Sequence, residues 1–184
     1  PVWKPISLQY RPFTADGDYV RKESLNPADE FGNYENRSVY GQSTYATNES
    51  DLDLVIDVKN RLPKDAKLIL LVNVNRPMVF SEVEPYADAI LVYFSNVYPE
   101  SFAHVISGKV EPSGLLPYQM PKDMETVFTQ DEDVPRDMEP YVDSEGNTYD
   151  FCFGLDWSGV IDDDRTKTYK AAPLTKPETE VKAD

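Results

Sequence analysis

The chain has 184 residues, 40% of them apolar, which is long enough for one domain with a single core. Its 33 acidic and 18 basic residues give a net charge of −15, which repels nucleic-acid phosphates and anionic lipid headgroups. The longest apolar runs, 68–72 and 89–94, are far shorter than the roughly 20 residues that span a bilayer. The sequence therefore predicts neither a nucleic-acid partner nor a membrane segment.

The first 47 residues show no sustained helical or strand periodicity, and they predict one short strand among long loops. A loop region of this length is unusual in a self-contained domain, so it indicates a functional surface, a missing packing partner, or both. The region is rich in aromatic side chains, because it contains five of the twelve tyrosines: Tyr10, Tyr19, Tyr34, Tyr40 and Tyr45.

A first helix is predicted after this region, with Asn48 or Ser50 as its N-cap and Pro63 at its end. Two apolar runs, 67–74 and 89–94, then predict strands that are buried on both faces. A short helical turn is expected at 82–86, and a helix at 100–107 is expected to end at Gly108. The order strand, helix, strand, helix predicts a parallel α/β sheet with right-handed crossovers.

The acidic stretch 120–147 predicts a surface excursion, and 148–155 predicts a final strand. The folded domain is expected to cover residues 1–160, with 1–47 as its loop-rich part facing the site and a partner. Residues 161–184 are expected to form an extended tail.

Several segments in this order resemble the carboxyl-terminal half of the second domain of glycoside hydrolase family 3, the β-glucosidase family. They are Asn75-Arg76-Pro77, then Ala-Asp-Ala-Ile-Leu at 87–91, then Lys-Val-Glu-Pro-Ser-Gly-Leu-Leu-Pro at 109–117, then Tyr-Asp-Phe-Cys-Phe-Gly-Leu at 149–155. The resemblance extends over about residues 36–161. It implies an α/β fold of the (α/β)6-sandwich type, a mostly parallel sheet sandwiched by helices, with the long N-terminal loop region and the extended C-terminal tail added.

The resemblance also implies retaining, exo-acting hydrolysis of β-linked glucosides or oligosaccharides. Such hydrolysis needs two carboxyl groups, one on each side of the glycosidic bond, and no metal or organic cofactor. In the family the nucleophilic Asp lies in a preceding (β/α)8 barrel, and nothing in this chain resembles that barrel. The expected partner is therefore a barrel-bearing N-terminal polypeptide, and the chain alone is expected to be inactive.

The acid/base Glu of the family comes from an irregular loop that corresponds to residues 29–45. Glu35 is the best positional match, and Glu30 is the second candidate. A raised carboxyl pKa, which an acid needs near neutral pH, is expected if tyrosines exclude water from this carboxyl. Tyr34 and Tyr40 are candidates for stacking on sugar rings, and Arg37 for bonding a sugar hydroxyl or orienting the acid.

Each of these assignments has an alternative. Glu35 and Arg37 can equally form a solvated surface pair, and the tyrosines can pack the loop onto the sheet or the absent barrel. The whole chain can also be a non-catalytic module with the same fold that binds carbohydrate or protein, because fold does not fix function.

Other reactive residues predict little chemistry. His104, the single histidine, has no Gly-x-Ser-x-Gly motif to serve, and Cys152 lies between two phenylalanines as a structural thiol does. No Cys/His pattern of a metal site is present in the sequence. A cytoplasmic location is expected, and a secreted or periplasmic one stays open.

Overall fold

The computed structural model describes residues 8–11, 13, 48–130 and 137–169. Its first helix, α1, is Glu49–Arg61, as predicted, and Asn48 occupies the N-cap position. Acidic residues lie in the first turn of α1 and basic residues in the last, which complements the helix dipole. The backbone becomes extended at Leu62, the residue before Pro63, because proline disfavours a helical conformation in the preceding residue.

Two strands form the predicted parallel pair. Strand β1 is Ile69–Asn73, strand β2 is Ala89–Tyr93, and Ile69 pairs with Ala89. The connection between them contains a 3-10 helix, Glu84–Tyr86, where a short helical turn was predicted. Helix α2, Pro99–Ile106, follows, and Gly108 with a φ of 73° ends this region in the left-handed conformation that suits glycine.

The main core lies on one face of the β1–β2 sheet. Leu52 of α1, Phe80 and Val83 of the strand connection, and Met120 are buried in this cluster. Leu70 and Val72 of β1 pack against it, together with Ile90 and Val92 of β2. Residues of even number on both strands therefore point to this face, as the alternation of a strand requires.

The opposite face of the sheet is covered only in part. The ring of Tyr93 on β2 packs edge to face against Phe102 of α2, with 5.0 Å between ring centroids. On β1, in contrast, Ile69 is 37% exposed and Leu71 is 43% exposed. The prediction that both strands are covered on both faces is therefore wrong for β1 in the described residues.

Within 120–147, the described residues 120–130 and 137–147 are not the surface excursion that their acidity predicted. Met120 is 0% exposed, and Tyr141 is buried in the same core cluster. The segment includes helix α3, Met124–Thr129, whose N-cap is Asp123 because its Oδ1 accepts the N–H of Thr126 at 2.8 Å. The apolar residues that anchor it are separated by charged ones, so periodicity does not identify them.

The carboxyl-terminal part forms turns and short elements. The strand predicted at 148–155 is wrong, because these residues make only the bridge from Val142 to Thr148 before a two-residue strand begins at residue 155. Strands β3, Leu155–Asp156, and β4, Gly159–Val160, form an antiparallel hairpin. Residues 161–184 were expected to form an extended tail. Part of this segment instead forms helix α4, Asp164–Tyr169.

Within the described residues, no helix has both the length and the apolar character needed to span a bilayer.

Asp88, just before β2, forms hydrogen bonds to three other residues near the sheet. Its carboxylate accepts the N–H of Leu68 at 2.8 Å and the ammonium groups of Lys59 and Lys67 at 2.9 and 3.0 Å. The backbone hydrogen bond from Leu68 and then the two lysines hold the pKa of Asp88 well below its usual range. The carboxylate therefore favours the folded state most when it is ionised.

We expect Asp88→Asn to lower stability at pH 7 and to remove part of the acid sensitivity of the fold. Because the pKa is lower in the folded state, the stabilisation is complete above the unfolded-state value of about 3.9 and is lost as pH falls below it. Urea unfolding at pH 7 and pH 3 measures this. Asp57→Asn, which breaks the exposed pair with Arg61 on α1, is the control, and equal pH dependence in both variants would contradict the prediction.

Candidate functional site

The site residues predicted from the sequence lie outside the part of the chain that the structure describes. This holds for Glu35, Tyr34, Arg37 and Tyr40, and also for the second acid candidate, Glu30. The structure does describe residues on both sides of this segment: residues 8–11 and 13 before it, and α1 after it. These flanking residues show where the chain is attached to the domain on either side of the predicted site residues.

Residues 8–11 and 13, called here the anchor segment, are attached to the domain at several points. The carbonyl of Leu8 accepts the N–H of Val79 at 3.0 Å, and Tyr10 is buried in the main core. Glu82 Oε2 accepts the N–H groups of Tyr10 and Arg11 at 2.7 and 3.2 Å. Burial, followed by the charges of Asp51 and Glu82, raises the pKa of Tyr10 and keeps it neutral.

Arg11 connects the anchor segment to the start of α1. Its two terminal nitrogens donate to different carboxylates, Glu49 Oε1 at 2.9 Å and Asp53 Oδ1 at 2.6 Å. These hydrogen bonds, with Asp53 contributing most, raise the pKa of the guanidinium. Arg11, Glu49, Asp53 and Glu82 are called here the Arg11 cluster.

The Arg11 cluster brings together residues that are distant in the sequence. Arg11 and Glu49 are 38 positions apart, and Glu35 lies between them in the chain. The described residues that come before and after the predicted acid in the sequence therefore meet at this cluster. The final residue of the anchor segment, Phe13, stacks on Phe128 of α3 with 5.3 Å between ring centroids.

A cleft of about 430 Å³ lies beside this place, between α1 and β1. Its apolar walls come from both elements, and polar groups of Tyr10, Asn48, Asp51 and Asn73 line it as well. Leu54 of α1 and Leu71 of β1 are lining residues with exposed side chains. The cleft is thus a largely apolar groove along the edge of the sheet.

A general acid near neutral pH requires a carboxyl group with a raised pKa. The carboxyl pKa values of Asp88, Asp156 and Asp163 are shifted, and all three are lowered by hydrogen bonds. Hydrogen bonds to Ser158 lower the pKa of Asp156 most, and a hydrogen bond to Arg165 lowers that of Asp163. The candidates for the acid therefore stay Glu35 and Glu30.

Three aromatic residues of the carboxyl-terminal part, Tyr141, Tyr149 and Phe153, pack against one another. The Tyr141 hydroxyl donates to Glu84 at 2.9 Å, and its ring packs at a right angle on Tyr149. Tyr149 stacks on Phe153 and contacts Phe80. Burial, the main cause, raises the pKa of both tyrosines, so both stay protonated. These rings fill the core and are not free to stack on a sugar.

The remaining reactive residues do not assemble a second site. His104 lies exposed on α2. Cys152 is partly buried, and burial raises the pKa of its thiol, which suits the structural role predicted for it. Among the described residues no group of His, Cys, Asp and Glu could hold a metal ion.

Two of the segments that resemble the family, 109–117 and 149–155, are in direct contact. The N–H of Leu116 donates to the Phe153 carbonyl at 2.7 Å, and the N–H of Cys152 donates to the Leu116 carbonyl at 2.9 Å. Gly154 lies directly against the Gly114 carbonyl. The lack of a side chain at Gly154 thus lets the two backbone segments approach closely, because a Cβ there would overlap the Gly114 carbonyl.

The described residues define the class as an α/β domain with a parallel strand pair and helices. A model of the glycosyl hydrolase family 3 C-terminal domain matches residues 26–157. This match covers more than half of the chain, so the chain belongs to that family, as the sequence motifs predicted.

Beta-glucosidase C of Emericella nidulans is a similar protein, 35% identical over 82 residues. The match covers 45% of this chain and 12% of the relative, so the chain spans a small part of that protein's length. No solved structure matches the chain.

The sequence analysis did not identify the Arg11 cluster. Its members are separated by up to 71 positions, and charged residues at such separations give no periodic signal.

Proposed function

We propose that this chain is the second-domain part of a retaining, exo-acting β-glycosidase of the β-glucosidase type. It supplies the acid/base carboxyl, with Glu35 as the candidate, and sugar-binding residues Tyr34, Arg37 and Tyr40. A barrel on another chain or segment supplies the nucleophile. Family membership supports the glycosidase class, and the small share of the relative that the chain covers supports the need for a further polypeptide.

In this reaction the barrel carboxylate attacks the anomeric carbon while the acid of this chain protonates the departing oxygen. Water then cleaves the glycosyl-enzyme bond, and the same carboxyl, now a base, accepts a proton from that water. No metal or organic cofactor enters these steps. The described residues contribute the frame that holds the acid-bearing segment, because both ends of that segment are attached to them.

In the part of the chain that the structure describes, no strand pairs with one edge of β1, called here its free edge. This supports the proposal that further polypeptide completes the sheet. Leu68 and Val74 direct their backbone groups to the β2 side, since Leu68 O accepts from Asp88 and Val74 N–H donates to Tyr93. Backbone groups alternate in direction along a strand, so Ile69, Leu71 and Asn73 direct theirs to the free edge. An unpaired edge with exposed apolar side chains is a site for another strand.

Connection handedness favours a parallel strand of the same domain at this edge. Helix α1 and the β1–β2 connection both pack on the even-numbered face, because Leu52, Phe80 and Val83 share one cluster. In a right-handed crossover, a strand that precedes α1 lies on the side of β1 away from β2. We propose that such a strand extends the pair toward the (α/β)6-sandwich. The handedness argument applies to the case in which the barrel lies on a preceding segment of the same chain, because the strand must be connected to α1.

Hydrolysis of a chromogenic β-glucoside by the chain, alone and together with the barrel-bearing polypeptide of its source, tests the proposal. We expect no hydrolysis by the chain alone, because one carboxyl of the required pair is missing, and turnover by the combination. Binding of glucosides without hydrolysis in either sample would overturn the enzyme assignment and support the non-catalytic module.

A further inference from the structure

The segments that follow the two parallel strands pack on opposite faces of the sheet. The connection that leaves β1 lies on the even-numbered face, because its residues Phe80 and Val83 are part of the main core. Helix α2, which follows β2, lies on the other face, because Phe102 packs against the ring of Tyr93. Neighbouring parallel strands whose connections separate in this way form a topological switch point, where a crevice opens outside their carboxyl ends. Open α/β sheets bind ligands in such crevices.

The carboxyl ends of β1 and β2 lie side by side. The N–H of Val74 donates to the Tyr93 carbonyl at 3.0 Å, so the strands are still adjacent where they end. Neighbouring strands are about 4.8 Å apart, and one small ligand can therefore contact residues that follow both. The exposed residues that follow the two strands at this place are called here the β1–β2 crevice: Asn75, Arg76, Ser95, Asn96 and Tyr98.

The polar side chains of the β1–β2 crevice have unused hydrogen-bonding capacity. Within the part of the chain that the structure describes, the amides of Asn75 and Asn96 and the hydroxyl of Ser95 have no partner. The chain has 33 acidic residues, yet none of the described carboxylates pairs with Arg76. The five N–H donors of this guanidinium are therefore available to a ligand, together with the donors and acceptors of the two amides.

The backbone of the crevice has a further feature of a functional loop. Ser95 has a φ of 69°, in the left-handed region that is uncommon for residues with a side chain. Residues held in such conformations occur most often at active sites and ligand-binding loops. Three residues later, Tyr98 occupies the N-cap position of α2, and its side chain is 82% exposed. The loop thus presents an aromatic ring to the solvent beside the free polar groups.

The chemistry of the β1–β2 crevice fits a neutral sugar. An aromatic ring covers the apolar C–H face of a pyranose, as the exposed ring of Tyr98 can do. Amide and guanidinium N–H groups donate to sugar hydroxyl oxygens, and amide carbonyls accept the hydroxyl protons. An anion fits less well, because Glu100 follows Tyr98 closely and the chain has a net charge of −15.

We propose that the β1–β2 crevice binds a glucosyl unit of a β-linked oligosaccharide. Tyr98 stacks on the sugar ring, and Arg76 and Asn96 form hydrogen bonds to its hydroxyl groups. The choice of a β-linked glucosyl unit rests on the proposed function. The binding of sugar at this place is a separate claim, because it needs neither hydrolysis nor a second polypeptide and can be measured on the 184-residue chain itself.

Titration of the isotope-labelled chain with cellobiose, followed through backbone amide chemical shifts, tests the site. We expect saturable shift changes centred on residues 75–76 and 95–98. Tyr98→Ala and Asn96→Ala should each weaken binding by about two- to tenfold, the usual effect of losing one aromatic contact or one hydrogen bond. Trp157→Ala is the matched control, because it removes a ring that is 62% exposed in the β3–β4 hairpin, outside the crevice. This variant should bind cellobiose as the wild type does.

Shift changes that are absent, that do not saturate or that centre on Trp157 would overturn the proposal, and so would equal affinities of all three variants. Inorganic phosphate is the second probe, and shifts in the crevice with phosphate but not with cellobiose would mean an anion site instead. Hydrolysis by the assembled protein without cellobiose binding in the crevice would leave the proposed function intact and refute only this inference. Binding in the crevice without hydrolysis by the assembly would do the reverse and support the non-catalytic module.

Discussion

Glu35→Gln in the assembled protein is expected to lower kcat for an alkyl β-glucoside by ~10²–10⁴-fold, the usual contribution of general acid catalysis. Glutamine keeps the size of the side chain but has no proton to give to the departing oxygen. A substrate whose leaving group departs as a stable anion needs no such proton, so a dinitrophenyl glucoside should recover much of kcat/KM. Its kcat should stay low, because the second step has lost its base. Steady-state rates with both substrates measure the difference.

The pH dependence of kcat/KM gives a second test of Glu35 as the acid. A general acid must be protonated to act, so wild-type activity should fall as pH rises through the pKa of the acid in the free enzyme. This alkaline limb of kcat/KM should be absent in Glu35→Gln. Its persistence would show that another group provides the proton.

Glu30→Gln is the matched control, because it makes the same change at the second candidate in the same segment. We expect it to keep near wild-type rates with both substrates. If Glu30→Gln loses activity and Glu35→Gln does not, the acid is Glu30, and if neither loses activity, the acid lies outside both positions.

Elements with local sequence signals were predicted well. The helix that begins after Asn48, the two apolar strands and the helix before Gly108 all agree with the structure to within a few residues. Each depends on features that neighbouring residues determine, such as helix caps, proline, glycine or a continuous apolar run.

Features that depend on distant contacts were not predicted. Met120 and Tyr141 lie in an acidic stretch, and their burial follows from the sheet face they cover and not from their neighbours. The exposure of Leu71 was not predicted for a related reason. Its apolar side chain predicts burial, but the described residues do not cover it. Sequence shows that a residue prefers burial, but not which polypeptide covers it.

The candidate site shows the same division. The family motifs indicated the chemistry, because short segments with fixed order can be compared without knowing contacts. The Arg11 cluster, in contrast, consists of one arginine and three carboxylates in a chain with 33 acidic residues. Which carboxylates meet Arg11 is decided by the packing of α1 and the β1–β2 connection on one face of the sheet.

The contact between the two family motifs leads to a prediction with a large effect on stability. We expect Gly154→Ala to destabilise the fold by ~1–3 kcal/mol, the usual cost of overpacking. A methyl group at this position would overlap the Gly114 carbonyl and would lie 3.1 Å from Leu115 Cδ2. A side chain can move away, but the Gly114 backbone is followed closely by hydrogen bonds between Leu116 and both Phe153 and Cys152.

Gly114→Ala is the matched control, because it adds the same methyl group to the other member of the contact. At position 114 the added carbon would have no heavy atom within 4 Å, and the backbone φ does not lie in the left-handed region. We expect this variant to unfold at nearly the wild-type urea concentration, whereas Gly154→Ala unfolds at a lower one. Equal midpoints of urea unfolding for the two variants would mean that the two segments do not approach as closely as described. Only this close approach predicts different effects for the two substitutions.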